Sequence, residues 1–312
     1  MNSTSNSSAE LQRVLDQQSN QISIVAWVVL GVSILQIALL AVLIVKERRN
    51  HTFKSRQRKV ATPVNLYLLS MIVCNTLGSS LFNQYWKGTA AETEIITYIL
   101  SYIFSACLKV MIMHFSWNRG WFVIETVSTL AAKTFRVVLW IFPVTQICEI
   151  ALYSCYVFLN VADWRPYLTS ANSFAVLNAI QLVLFDLGSI LCYMLYLRQV
   201  RLHAQLDSQR LIIVANYGIV TAVWTLIWIV SSLSDLVNWD FNDIVQEEED
   251  SAFILLYYLV PSVYIFTQLC MKYALYGQKM ADSHQKKTAV ASAKGNTAPS
   301  VTRPSVTTGR YT

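Results

Sequence analysis

Charge is what this chain has least of. Only 13% of its residues are Asp, Glu, Lys or Arg, against 54% apolar. Those charges fall in blocks between long apolar runs, unlike the even scatter of a soluble surface, so lipid is the main solvent. Histidine is scarce too, at four, and only His114 lies within an apolar run. No Cys/His cluster has metal-ligand spacing, which excludes the usual zinc hydrolase, and neither a metal nor a cofactor is implied. A Gly-x-Ser-x-Gly elbow and a phosphate loop are both missing, so a nucleophilic hydrolase has nothing to stand on and no enzyme is expected. Nucleic acid is not an expected partner either. The six cysteines, Cys74, Cys107, Cys148, Cys155, Cys192 and Cys270, all fall inside or at the ends of apolar runs, leaving none for an extracellular disulfide. Residues 1–21 are polar and rich in Ser, Asn and Gln, so no cleavable signal peptide is expected before the first run.

What is present is length of apolar sequence. Bilayer hydrocarbon is roughly 30 Å thick, and a helix rises about 1.5 Å per residue, so a span needs about 20 mostly apolar residues. Seven stretches meet that test, over about 24–45, 64–86, 95–117, 137–161, 174–197, 211–233 and 253–275. Backbone groups in lipid must bond within their own segment, and these stretches lack the alternation of a barrel strand, so all seven read as helices. The expected fold is therefore an all-α membrane protein, a seven-transmembrane helix bundle over 23–275. An extracellular polar tail over 1–22 precedes it and a cytoplasmic tail over 276–312 follows. That last segment turns to Ala, Ser, Thr, Lys, Gly and Pro, with too little apolar surface to offset ordering entropy, and is expected to be disordered.

Lys and Arg are retained on the cytoplasmic side during insertion. The first loop carries Lys46, Arg48, Arg49, Lys54, Arg56, Arg58 and Lys59, and the fifth-to-sixth connection adds Arg198, Arg201 and Arg210. The sixth-to-seventh loop carries Asp235, Asp240, Asp243, Glu247, Glu248, Glu249 and Asp250 without a single base. The amino terminus is thus expected outside and the carboxyl terminus in the cytosol of a multi-pass plasma-membrane protein. Sequons at Asn2 and Asn6 agree with an outside leader and make it a candidate glycoprotein; a third, at Asn50, lies in the most basic loop and is expected to be unmodified. Trp86, Trp117, Trp121, Trp164 and Trp239 lie near span ends, where amphipathic rings favour the headgroup zone.

Ionisable side chains at mid-bilayer cost at least ~2.5 kcal/mol each, so each needs a partner, a wet cavity or a function. Lys109, Glu149 and Asp186 stand out. By helix rise, Lys109 sits about 15 Å above Arg119, Glu149 about 20 Å above Arg136 and Asp186 about 18 Å above Arg198, which gives all three similar depths. Lys109 is expected to pair with Asp186 or Glu149, either as a structural ion pair or as part of a ligand site or proton-linked switch. Stripes at helical spacing surround them: Ser101, Ser105 and Lys109; Gln146, Glu149 and Tyr153; Asp186, Ser189 and Tyr193; and Tyr217, Thr221, Trp224 and Trp228. Their convergence makes Lys109, Glu149, Asp186, Ser105 and Tyr153 the candidate ligand-binding or buried-charge cluster.

The second run opens Thr62-Pro63-Val64-Asn65 and reaches Asn75 ten residues after Asn65. This resembles the second helix of rhodopsin-like G-protein-coupled receptors, in which a buried Asp stands where this chain has Asn75. In the seventh run, Val260-Pro261-Ser262-Val263-Tyr264 is similar to the family's Asn-Pro-x-x-Tyr. Asn118-Arg119-Gly120 stands where the family has Asp/Glu-Arg-Tyr, and Gln36 and Trp140 where it has Asn and Trp. The resemblance implies a seven-helix receptor with Arg119, Asn75, Pro261 and Tyr264 as switch or transducer residues. It also implies a heterotrimeric G protein as partner. The departures are that the linking disulfide has no cysteines, the fifth and sixth runs contain no proline, and Asn75 cannot supply the carboxylate of a sodium site. A retinal protein is excluded, because no Lys lies between Phe253 and Cys270 to form a Schiff base.

The expected function is a cell-surface receptor that switches bundle packing on binding an unidentified extracellular small molecule or short peptide. The alternative is a proton- or solute-coupled transporter using Lys109, Glu149 and Asp186.

Overall fold

A computed structural model describes residues 3–49, 62–87, 91–159, 165–202, 208–237 and 247–295. Side chains are described over the inner part of each segment, between 13 and 281. All the regular structure among the described residues is helical. Seven helices follow one another: α1 Ser3–Arg49, α2 Pro63–Trp86, α3 Ala91–Val127, α4 Thr129–Leu159, α5 Arg165–Leu202, α6 Ser208–Val237 and α7 Glu247–Gly295. Six of them carry a described stretch long and apolar enough to cross a membrane. In α7 the uncharged run starts at Phe253, among residues whose side chains lie outside the described set.

Local chemistry sets several boundaries. Thr62 stays extended and its side chain accepts from the Asn65 N–H at 3.3 Å, capping α2, while Pro63 supplies a first-turn φ without needing a partner for an N–H. Between α3 and α4 only Ser128 departs from helix. Its hydroxyl accepts from the Ala131 N–H at 3.2 Å and so starts α4 where α3 stops. At the far end α7 continues to Gly295, where composition alone pointed to disorder from 276 onward. That stretch is poor in apolar residues but rich in Ala, Lys, Gln and Met, which are good helix formers attached to an existing helix. The polar leader likewise forms the first turns of α1.

The helices close a ring in which each packs on the next and α7 returns to α1, with α3 also against α5 and α2 against α7. Cross-helix pairs fix their sense. Ser19 reaches Trp86 while Ser33 meets Thr76, so α1 and α2 are antiparallel; Gln36 and Glu47 meet Ser262 and Lys272, so α1 and α7 are parallel. Glu149 with Tyr102, Tyr153 with Asn172 and Asp186 with Thr225 continue the alternation. The main core cluster draws on every helix, including Leu40, Met71, Ile112, Phe142, Leu182, Trp228 and Ile265, with smaller clusters beside it. Large apolar side chains cover the outside, with Trp27 66% and Trp140 75% exposed. The few described polar groups within the apolar runs, such as Glu149 and Asp186, are turned inward while apolar side chains fill the core and also cover the outside, as suits a multi-pass membrane protein in lipid. Trp164, Trp239, the acidic residues from Asp235 to Glu249, Asn2 and Asn50 lie outside the described residues or side chains, as does the side chain of Asn6.

Candidate functional site

The buried polar residues divide into two groups along the bundle. The first surrounds Glu149, which is 1% exposed. Tyr102 on α3 donates to one carboxylate oxygen at 3.0 Å and Asn178 on α5 donates to the other at 2.5 Å. Tyr153, one turn along α4, donates to Asn172 on α5 at 2.7 Å, and its ring lies 4.9 Å from that of Tyr102. Lys109 turns to the Tyr257 hydroxyl on α7 with Glu149 as the nearby carboxylate, and Ser105 shares a 2.6 Å hydrogen bond with Tyr257. Ser105, Lys109, Glu149 and Tyr153 are therefore brought into one neighbourhood. Gln146, three residues before Glu149 and 2% exposed, has no hydrogen-bond partner on either side-chain amide atom.

Asp186 is not in that group. Its carboxylate accepts from Thr225 on α6 at 2.8 Å and faces Ser116 and Arg119 on α3. The expected Lys109–Asp186 pair is thus replaced: the inward face of α5 at Asp186 opens onto α6, and Lys109 points to α7. Among the described residues Lys109 forms no ion pair with Glu149 either, whose carboxylate oxygens accept instead from Tyr102 and Asn178.

The second group centres on Arg119. Its Nη1 donates to Gln268 Oε1 at 3.1 Å and approaches the Met271 sulfur at 3.6 Å, joining α3 to α7. Tyr193 on α5 donates to the Arg119 backbone carbonyl at 2.9 Å. Gly120 makes this contact available, because a Cβ there would lie 3.2 Å from the Tyr193 hydroxyl. Tyr264, fully buried, shares a 3.5 Å contact with Ser116. Beside these, Asn75 donates to the Ser262 hydroxyl at 2.8 Å and Gln36 donates to the Ser262 carbonyl at 2.7 Å. Three helices therefore meet at the residue after Pro261, whose ring removes a helix N–H and leaves the Tyr257 carbonyl without its usual donor. A cavity of about 10 Å³, room for one water, lies between the groups, lined by Asn75, Ser105, Trp228, Tyr257 and Pro261 among others.

Sequence reading missed Tyr102, Asn178, Tyr257, Gln268 and Ser262. Tyr102 was within reach of it, since 102, 105 and 109 share one helical face. The partners on α5 and α7 carried no signal, because a lone amide in an apolar helix does not say which neighbour it meets. All six cysteines are free, and among the described residues no group of His, Cys, Asp and Glu could hold a metal ion.

The fold and these residues define a multi-pass helical membrane bundle with two polar groups inside an apolar core. Compared with known proteins, the chain matches no family model and no curated sequence.

Proposed function

We propose that the chain is a divergent seven-span receptor of the plasma membrane, amino terminus outside and carboxyl terminus cytosolic, which passes binding of a small molecule or short peptide to a heterotrimeric G protein. The observation that carries this reading is the Arg119 node. One arginine on α3 is held by α7 through Gln268 and by α5 through Tyr193, next to an α5–α6 tie at Asp186 and Thr225. A ligand that bound two packings of these helices unequally would shift the node between them, which is what a receptor requires.

The topology has independent support. The uncharged run of α7 from Phe253 to Cys270 is long enough to be the seventh span, and the parallel course of α1 and α7 agrees with an amino terminus outside and a carboxyl terminus in the cytosol. Lys46, Arg48, Arg49, Lys133, Arg136 and Lys272 share the end that holds Arg119, as the positive-inside rule requires of the cytosolic face. The transporter alternative needs Lys109, Glu149 and Asp186 to act together, and Asp186 belongs to the other group.

The test is basal nucleotide exchange on purified heterotrimeric G proteins by the chain in nanodiscs. Gln268→Ala frees Arg119 from α7 and is expected to raise exchange several-fold over wild type, while Arg119→Ala is expected to lower it to the receptor-free rate. Equal rates in all three proteins across the G-protein classes would remove the reading.

A further inference from the structure

Where α1 meets α7, at the end of the bundle that holds Arg119, the outer face turns from apolar to basic within one turn. The apolar run of α1 stops at Val45, and its last turn holds Lys46, Arg48 and Arg49, all exposed. Helical spacing sorts them. Arg49 lies one turn beyond Lys46, about 4.5 Å farther along on the same face, while Arg48 falls on the opposite side. Below Lys46 that face continues through Val42, Leu39 and Leu35, each an exposed apolar side chain. α7 packs beside α1 and runs parallel to it. The Lys46 Nζ sits 5.1 Å from the centre of the Tyr273 ring, and the Tyr276 hydroxyl donates to the Lys46 carbonyl at 3.1 Å. Tyr273 is 54% exposed, and Phe266, two turns below it, is exposed as well. Glu47, the acid of that turn, is already held by Lys272. Among the described residues neither Lys46 nor Arg49 forms an ion pair.

Two cations above an apolar stripe call for a partner that is anionic at their level and apolar below it. A soluble anion meets the first demand alone; a membrane lipid meets both. The end of the apolar run puts Lys46 and Arg49 at headgroup depth. An ammonium over a ring face is fixed in place yet keeps N–H donors for a phosphate, and a guanidinium one turn away adds a planar fork that fits phosphate oxygens. We propose that the α1–α7 seam binds one acidic phospholipid, its headgroup between Lys46 and Arg49 beside Tyr273, and an acyl chain along Val42, Leu39, Leu35 and Phe266. A zwitterionic headgroup carries an ammonium of its own towards the same cations, so the two together should favour an acidic lipid by about thirtyfold. The site stands on the membrane bundle alone and goes beyond the receptor reading.

The experiment is native mass spectrometry of the full chain, delipidated in detergent and titrated with single lipids. The probes are phosphatidylserine, phosphatidylcholine with the same acyl chains, and glycerophosphoserine, which has the acidic headgroup and no chains. One phosphatidylserine is expected to stay bound at concentrations about thirtyfold below those that phosphatidylcholine needs, and glycerophosphoserine is expected not to be retained. Lys46→Gln with Arg49→Gln should remove that preference, whereas Lys46→Arg with Arg49→Lys should keep it. The control removes two cations of the same end from outside the seam: Arg48→Gln with Arg198→Gln should change the affinity by less than about twofold. Tyr273→Leu, which leaves every charge in place but frees the Lys46 ammonium, should weaken retention about threefold. Equal retention of the two lipids, retention of glycerophosphoserine, or equal losses in the seam pair and the control pair would overturn the proposal, the last by showing attraction to the basic end as a whole. All these residues are exposed, so the variants are expected to unfold at the wild-type midpoint, and the Arg/Lys exchange reads the site even if the Gln pair does not fold.

Discussion

The two buried polar groups differ in the charge at their centre, Arg119 in one and Glu149 in the other. Around Arg119, side-chain bonds run from one helix to the next, so that α3, α5, α6 and α7 are tied by Arg119–Gln268, Tyr193–Arg119 and Thr225–Asp186. Around Glu149, the carboxylate has its donors, but Gln146 has none and Lys109 has no counter-ion. Buried polar groups are normally paired, yet each group keeps unpaired atoms: Arg119 Nε and Gln268 Nε2 in one, the Gln146 amide and Asn178 Oδ1 in the other. One group thus ties a cation between α3, α5 and α7, and the other holds a carboxylate between α3, α4 and α5. Between them lies the Pro261 joint, where α1, α2 and α7 meet through Gln36, Asn75 and Ser262.

Removing Glu149 is the strongest way to break this comparison. Glu149→Leu leaves the Tyr102 hydroxyl and the Asn178 amide without an acceptor and Lys109 without a nearby anion. Hydrogen bonds between membrane helices are worth about 0.6 to 1.7 kcal/mol each. Adding the loss for Lys109, the expected destabilisation is about 3 kcal/mol, read as a lowered unfolding midpoint in nanodiscs. A neutral effect would mean that the carboxylate is not the organiser of its group. Asn75→Leu should cost less, about 1 kcal/mol, because it breaks one bond to Ser262 while Gln36 still holds the Ser262 carbonyl. A cost as large as that of Glu149→Leu would make the Pro261 joint, and not the two end groups, the main tie in the bundle.

Much of the architecture was written in hydropathy. The number and centres of the helices follow from apolar runs, the start of α2 from Thr62 and Pro63, and the inward faces from stripes such as Gln146, Glu149 and Tyr153. What the runs do not encode is rotation of one helix against another, and that decides partners. Helix rise put Lys109, Glu149 and Asp186 at one level, yet Glu149 bonds Tyr102, about 10 Å from Lys109 along α3; rotation then gave Asp186 to Thr225 and turned Lys109 toward Tyr257. Helix ends were blurred for a different reason. Beyond the lipid-length run, α7 persists through propensity without burial, a signal that a search for apolar surface cannot see. The Asn75 and Pro261 strings, noted from a resemblance, do meet through Ser262, yet Ser262 itself carried no mark in the sequence.

The smallest expected effect lies at the end of the bundle that holds Arg119, where Lys272 on α7 bonds Glu47 on α1 at 3.3 Å and also reaches the Asn65 side chain on α2. This clasp looks as connected as the Arg119 node, with Tyr276 adding a 3.1 Å bond to the Lys46 carbonyl. It differs in its surroundings. Lys272 and Glu47 keep 11% and 28% of their side-chain surface exposed, so water and salt reach the pair. Ion pairs in such settings contribute about 0.2 to 1 kcal/mol. Lys272→Met, which keeps the apolar stem, is therefore expected to cost about 0.5 kcal/mol, and the difference from wild type should shrink further in molar salt. A larger, salt-insensitive loss would mean that the clasp is as dry as the Arg119 node. The set of cross-helix ties around Arg119 would then extend to α1 and α2 as well.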